Sequence, residues 1–176
     1  MPIETLGSDK RFYIEEKDVR RICANLYGGG YSVVFVYVGS ILRFLDGKIT
    51  TLYETDVYPY LSRTDEGKNK YLKYCETYPS YFRNETNYKN LIDEMKEQNY
   101  DIKKGAIVID DNNFILDGQH RSCILLNKYG PFHKVQVVKI YTGRHKGKKM
   151  LLKLSCAKIN AWIRCCIEYV KLNRTK

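Results

Sequence analysis

Asp117, Gly118, Gln119, His120, Arg121 and Ser122 follow one another without interruption. An imidazole beside a guanidinium offers hydrogen-bond donors in several directions, which is what an anion, and a phosphate above all, requires. Glycine after aspartate supplies a tight turn, because Gly accepts φ values that a side chain forbids. A helix beginning at Gln119 would add its free N–H groups and the positive end of its dipole at the same point. A plainer reading stands beside this one. Asp117 can be an N-cap, Gly118 a turn glycine, and His120 and Arg121 ordinary residues of a first turn.

The neighbouring residues must position that run. Residues 106–110 (A-I-V-I-D) form an apolar, β-branched stretch and predict a strand. Asp111, Asn112 and Asn113 predict a turn, and Phe114, Ile115 and Leu116 a second short strand. A helix is expected over 119–128, stopped by Gly130 and Pro131, with a strand over 135–140 after it.

This order of strand, turn, strand, Asp-Gly-x-His-Arg helix and strand resembles the ParB/sulfiredoxin superfamily. The resemblance covers about residues 83–141 and is carried by I-V-I-D-D-N-N-F-I-L-D-G-Q-H-R-S-C-I-L. It is similar especially to small members with a D-G-x-H-R core, among them free-serine kinases and proteins of bacterial surface-polysaccharide gene clusters. It implies an α+β fold, a ParB/sulfiredoxin-like domain with a small mixed sheet and flanking helices. It also implies a nucleotide, ATP or ADP, whose phosphates meet Gly118, Gln119, His120, Arg121 and Ser122. Asp117 would then hold Mg²⁺ or orient a hydroxyl. Such a set suits phosphoryl transfer, which needs charge neutralisation and alignment more than covalent groups. His120 and a carboxylate, Asp117 or Glu54, are the expected catalytic groups.

The chain departs from its relatives in three places. Sulfiredoxins carry a Cys directly before His-Arg, whereas Gln119 stands here and Cys123 lies further along the helix, so sulfinic-acid reduction is not expected. Free-serine kinases carry a catalytic Glu after a Pro, and the similar place reads Pro79-Ser80-Tyr81. Glu54, Glu76 or Glu85 would have to substitute, and the sequence does not choose among them. Chromosome-partitioning relatives append a helix-turn-helix module, for which residues 142–176 are too few. Two functions remain. One is a nucleotide-dependent phosphotransferase, kinase-like, acting on a small hydroxylated metabolite such as a sugar or amino acid. The other is a non-catalytic or nucleic-acid-binding module, a nucleotide switch or nuclease relative.

Length and composition agree with one domain over 1–141 followed by a basic helical segment over 142–176. Of the net charge of +10, nine units fall in residues 142–176, where ten basic residues face Glu168 alone. That asymmetry points to an anionic partner: nucleic acid, a lipid surface or an acidic protein. Leu152, Ile159, Trp162, Ile163, Cys166 and Val170 predict an amphipathic helix over 148–171 with that stripe docked on the domain. The six cysteines form no C-x-x-C pair and read as free thiols of a cytoplasmic protein. No signal-like start and no transmembrane-length apolar run is present.

Elsewhere a helix is expected over 15–27, with Gly28, Gly29 and Gly30 as a loop, then a strand over 31–38 and a hairpin across Asp46-Gly47. Residues 54–62 read as irregular and Tyr-rich, 63–70 as a polar loop, and 70–77 and 87–98 as helices. The tyrosines read mainly as core edges, with stacking on a base or sugar as the alternative.

Overall fold

The computed structural model describes residues 30–45, 47–79, 84–141 and 148–174, for Leu45 and residues 148–152 the backbone alone. The helix expected over 15–27, glycines 28 and 29, and the Ser80-Tyr81 step lie outside the described residues. The fold is mixed α+β. Strands β1 (Tyr31–Tyr37), β6 (Lys134–Ile140), β4 (Val108–Asp110) and β5 (Ile115–Asp117) form one sheet in that spatial order. β1 runs antiparallel to β6 from Tyr31↔Ile140 to Tyr37↔Lys134, and β4 runs parallel to β6 with Val108 opposite Val138. β2 (Leu42–Leu45) and β3 (Lys48–Thr51) make a separate hairpin, joined to the sheet by one bridge, Leu42 to Phe114.

The β4–β5 turn is built by Asp110, whose Oδ1 accepts from the N–H of Asn112 and of Phe114, both at 2.8 Å. Asn113 takes the left-handed conformation (φ 66°), which Asn tolerates better than most residues. The expected strand–turn–strand is therefore present, with β5 displaced one residue, to Ile115–Asp117.

Among the described residues, four helices accompany the sheet. α1 (Asp65–Thr77) starts five residues before the short helix expected from sequence, replacing most of the polar loop predicted over 63–70. The Thr64 hydroxyl caps it by accepting from Gly67 N–H, and Asp65 and Glu66 suit the positive end of its dipole. α2 (Glu85–Glu97) is capped the same way by Asn84. α3 (Gln119–Tyr129) carries the motif and buries Ser122, Cys123, Ile124, Leu125 and Leu126. These three helices and the 3-10 turns Leu52–Glu54 and Tyr58–Ser62 pack around one core with Ile109 and Val137 of the sheet and Ile107 just before β4. A second cluster of Ala106, Val108, Val138 and Ile140 lies apart from it.

α4 (Lys148–Arg174) docks on the domain, but by a different face from the one predicted. Ala161 and Cys165 are fully buried and Trp162 half-buried, whereas Ile159 (59% exposed), Ile163 and Val170 face solvent. Small residues decide this. Gly39 is approached closely by Pro131 and by the Cys165 thiol, an approach larger side chains would prevent. Trp162 sits beside this seam against Tyr37 and Phe132, with ring centroids 6.0 and 5.7 Å away. Among the described residues no helix is long and apolar enough to cross a membrane.

Candidate anion site at the start of the motif helix

The turn into α3 depends on glycine at two places. Gly118 is left-handed (φ 81°), and a Cβ there would stand 2.9 Å from the Ile107 backbone. Gly105, at the other end of the same extended segment, has φ 156°, and a Cβ there would meet the Arg121 guanidinium at 2.3 Å. The segment 105–107 therefore passes the start of α3 closely, and Arg121 lies folded across its first residue.

Gly118 caps α3 without a side chain, so the helix start is left open. The N–H groups of Gln119 and Arg121 have no hydrogen-bond partner among the described residues, and only Ser122 N–H closes onto the Gly118 carbonyl (2.9 Å). The Arg121 guanidinium is half-buried and forms no ion pair or hydrogen bond among the described residues. It shares a small recess with Gln98, Tyr100, Asp101 and Lys104. A guanidinium that is partly desolvated and unpaired is costly unless something anionic meets it. Gln119 adds a buried side-chain N–H₂ with no acceptor among the described residues.

The motif residues do not all converge. His120 turns away from Arg121 into a ring of tyrosines. Its Nε2 lies 3.0 Å from the Tyr71 hydroxyl, and its ring meets those of Tyr88 and Tyr71 edge-on at 4.7 and 5.7 Å. Tyr74 completes the ring, with Arg43 over its outer face at 5.6 Å. Tyr71 and Tyr88 are buried, and burial first, then neighbouring groups, pushes both phenols well above their ordinary pKa. They are therefore neutral and serve as packing and hydrogen-bonding groups.

Ser122 must be removed from the phosphate set. Its side chain is fully buried, and both its hydroxyl (3.0 Å) and its N–H donate to the Gly118 carbonyl. Such back-bonding within a helix leaves nothing to offer a ligand. Glu54 is likewise engaged elsewhere. Its carboxylate accepts from Arg164 of α4 (2.9 and 3.3 Å) and from Thr51 N–H (2.6 Å), and none of these bonds leads to His120. Burial raises its pKa, but the Arg164 and Thr51 bonds outweigh this and hold it below the ordinary carboxylate value.

Asp117 stays at the mouth. It is exposed at the end of β5, and its Oδ1 accepts from Gly118 N–H at 2.7 Å. No group of three or more His, Cys, Asp or Glu able to hold a metal occurs among the described residues. One exposed carboxylate still fits Mg²⁺, which commonly takes one or two carboxylates and completes its shell with water and ligand phosphates.

Sequence reasoning missed Gly105, the tyrosine ring and Asn84, whose carbonyl lies 3.4 Å from the Tyr71 hydroxyl. The tyrosines carried a signal in their density. Gly105 carried none, since its role depends on an arginine sixteen positions away. No family model, curated protein or solved structure matches the chain.

Proposed function

We propose that the chain binds an adenine nucleotide, ATP or ADP, with its phosphates at the start of α3, and transfers a phosphoryl group to a small hydroxylated metabolite. The observation carrying this reading is the unpaired Arg121 guanidinium held across Gly105 beside an uncapped helix start. Arg121 gives the planar two-point contact that phosphate favours, and the open N–H groups of Gln119 and Arg121 complete the cradle. Bound Mg²⁺ would neutralise charge on the phosphates, with Asp117 as its protein ligand. In the transfer itself the acceptor hydroxyl forms the new P–O bond, the bond to the leaving phosphate breaks, and the acceptor proton passes to a carboxylate. Asp117, the carboxylate beside the mouth, takes that proton where it is not the Mg²⁺ ligand. The resemblance to ParB/sulfiredoxin proteins supports the same placement, and free thiols suit a cytoplasmic home.

A second reading, a nucleotide-binding module without catalysis, is favoured by the engagement of His120 and Glu54 in other contacts. Calorimetry with ATP or ADP and Mg²⁺ tests the binding they share. Arg121→Ala is expected to weaken binding about tenfold or more, since charge-assisted bonds contribute about 1.5–3 kcal/mol each. No heat from the folded wild-type protein sinks both. Asp117→Asn separates them: under the first reading turnover falls far more than affinity.

A further inference from the structure

On the same face of α3, one to two turns beyond His120, a cleft of about 530 Å³ opens between α1, α2 and α3. That volume suits a small organic ligand. Its floor is apolar, built from Leu61, Ile92, Met95 and Ile124 with the ring of Tyr60. Five basic side chains line it, Arg63, Lys68, Lys89, Lys96 and Lys128, against Asp65, Glu85 and Asp93.

The pairing leaves two of these cations without a carboxylate. Glu85 takes both Lys68 (3.3 Å) and Lys89 (2.9 Å), and Asp93 takes Lys96 (2.6 Å). Lys128 donates instead to the last carbonyls of α2, Met95 (3.0 Å) and Lys96 (3.4 Å), which fixes its ammonium at the wall. The Arg63 guanidinium has no hydrogen bond or ion pair among the described residues. It also lies close enough to Asp93 to help lower that carboxyl's pKa, behind the larger effect of Lys96. Arg63 and Lys128 thus line the same cleft as the Asp93–Lys96 pair, one acting on Asp93 and the other bound to the Lys96 carbonyl.

Arg63 stands, moreover, where the backbone asks for glycine. Its φ is 58°, and its N–H closes the preceding 3-10 turn on Tyr60 O at 3.2 Å. A long cationic side chain in the left-handed region is a local strain, and such strain concentrates at functional positions.

We infer that this cleft binds a small phosphate monoester with an apolar or aromatic body, the body on Tyr60, Ile92 and Met95 and the dianion drawn to Arg63 and Lys128. The charge match is direct, since a monoester carries about −1.5 to −2 at neutral pH. The inference stands apart from the α3-mouth site and does not rest on it.

Phenyl phosphate is the probe, titrated into the full ¹⁵N-labelled chain while amide shifts are followed. Shifts are expected in α2 and the second half of α3. Phenol and inorganic phosphate should each bind at least about tenfold more weakly, since each lacks one half of the recognition. Lys128→Ala and Arg63→Gly should each weaken phenyl phosphate about fivefold or more. Arg63→Gly suits the backbone, so it should raise Tm while lowering affinity, which no folding defect imitates. Arg121→Ala should leave phenyl phosphate binding unchanged. Inorganic phosphate binding as tightly as the ester, shifts confined to the α3 start, or full affinity in both cleft variants would each overturn the inference.

Discussion

The Tyr71 hydroxyl and His120 Nε2 lie 3.0 Å apart, with the Tyr71 side chain fully buried in the core. This bond ties the motif histidine to α1 and turns its ring from the open start of α3. His120→Ala should therefore act on stability more than on ligand binding. Losing an imidazole packed against three tyrosines should cost about 2–4 kcal/mol, while Tyr71→Phe, which removes one hydrogen bond, should cost about 1 kcal/mol. Urea unfolding of the two variants measures this. A His120→Ala protein of wild-type stability whose nucleotide affinity has collapsed would return His120 to the phosphate site.

The two glycines at the site should separate structure from binding. At Gly118 an alanine meets backbone at 2.9 Å in a left-handed conformation, and backbone has nowhere to retreat. Gly118→Ala should cost about 2 kcal/mol or more. At Gly105 the obstructing atoms are the end of the flexible Arg121 side chain. The backbone there (φ 156°) is itself strained for any side chain, so Gly105→Ala should also cost stability. In addition it should displace the guanidinium, weakening nucleotide binding nearly as much as Arg121→Ala. Thermal melts paired with calorimetry check both, and unchanged affinity in Gly105→Ala would dissociate Arg121 from the phosphates.

The local order around the motif was legible because each boundary had its own chemical marker. Asp110 and the Asx turn, Gly118, and Gly130 mark their positions without tertiary information. The start of α1 was hidden because 63–70 has no apolar periodicity. Its markers were the cap Thr64 and the acids Asp65 and Glu66, and these outweigh polarity. The docked face of α4 was misread because hydrophobicity alone favours Ile159 and Ile163. Close packing instead selects Ala161 and Cys165, against a glycine far away in sequence. The divergence of His120 and Arg121 was beyond sequence as well. Neighbours on a helix point about 100° apart, and only tertiary packing tells which one the core claims.

Thiol reactivity should follow burial. Cys123 is fully buried, and burial pushes its thiol up to about 12; Cys165 is raised to about 12 by burial first and by Cys166 and Glu54 after it. Neither holds appreciable thiolate at neutral pH, and the thiolate is the nucleophile. Cys156 is exposed. Iodoacetamide at pH 8 should label Cys156 well before Cys123 or Cys165, with those two reacting only after denaturant is added. Early labelling of Cys123 in folded protein would contradict the packing of α3.

The Glu54–Arg164 pair makes the docking of α4 depend on acid. Glu54 has a folded pKa below its ordinary 4.5, because the Arg164 and Thr51 bonds to its carboxylate outweigh the opposing effect of burial. The unfolded chain therefore binds the proton more readily. The stabilisation is present in full above pH 4.5 and is lost as pH falls through the lower folded value. Arg164 also donates to the Ile49 carbonyl at 3.0 Å, so the same guanidinium joins α4 to β3 and to the turn that follows it. Because the pair is partly open to solvent, its contribution should be about 1 kcal/mol and weaker in high salt. Glu54→Gln should lower stability at pH 7 by about that amount, and the difference should shrink as pH falls below 4.5 and through the lower folded value. Urea midpoints of both proteins across that range decide it. A difference that stays constant as pH falls from 7 into the acid range would mean that Glu54 acts through packing rather than through its charge.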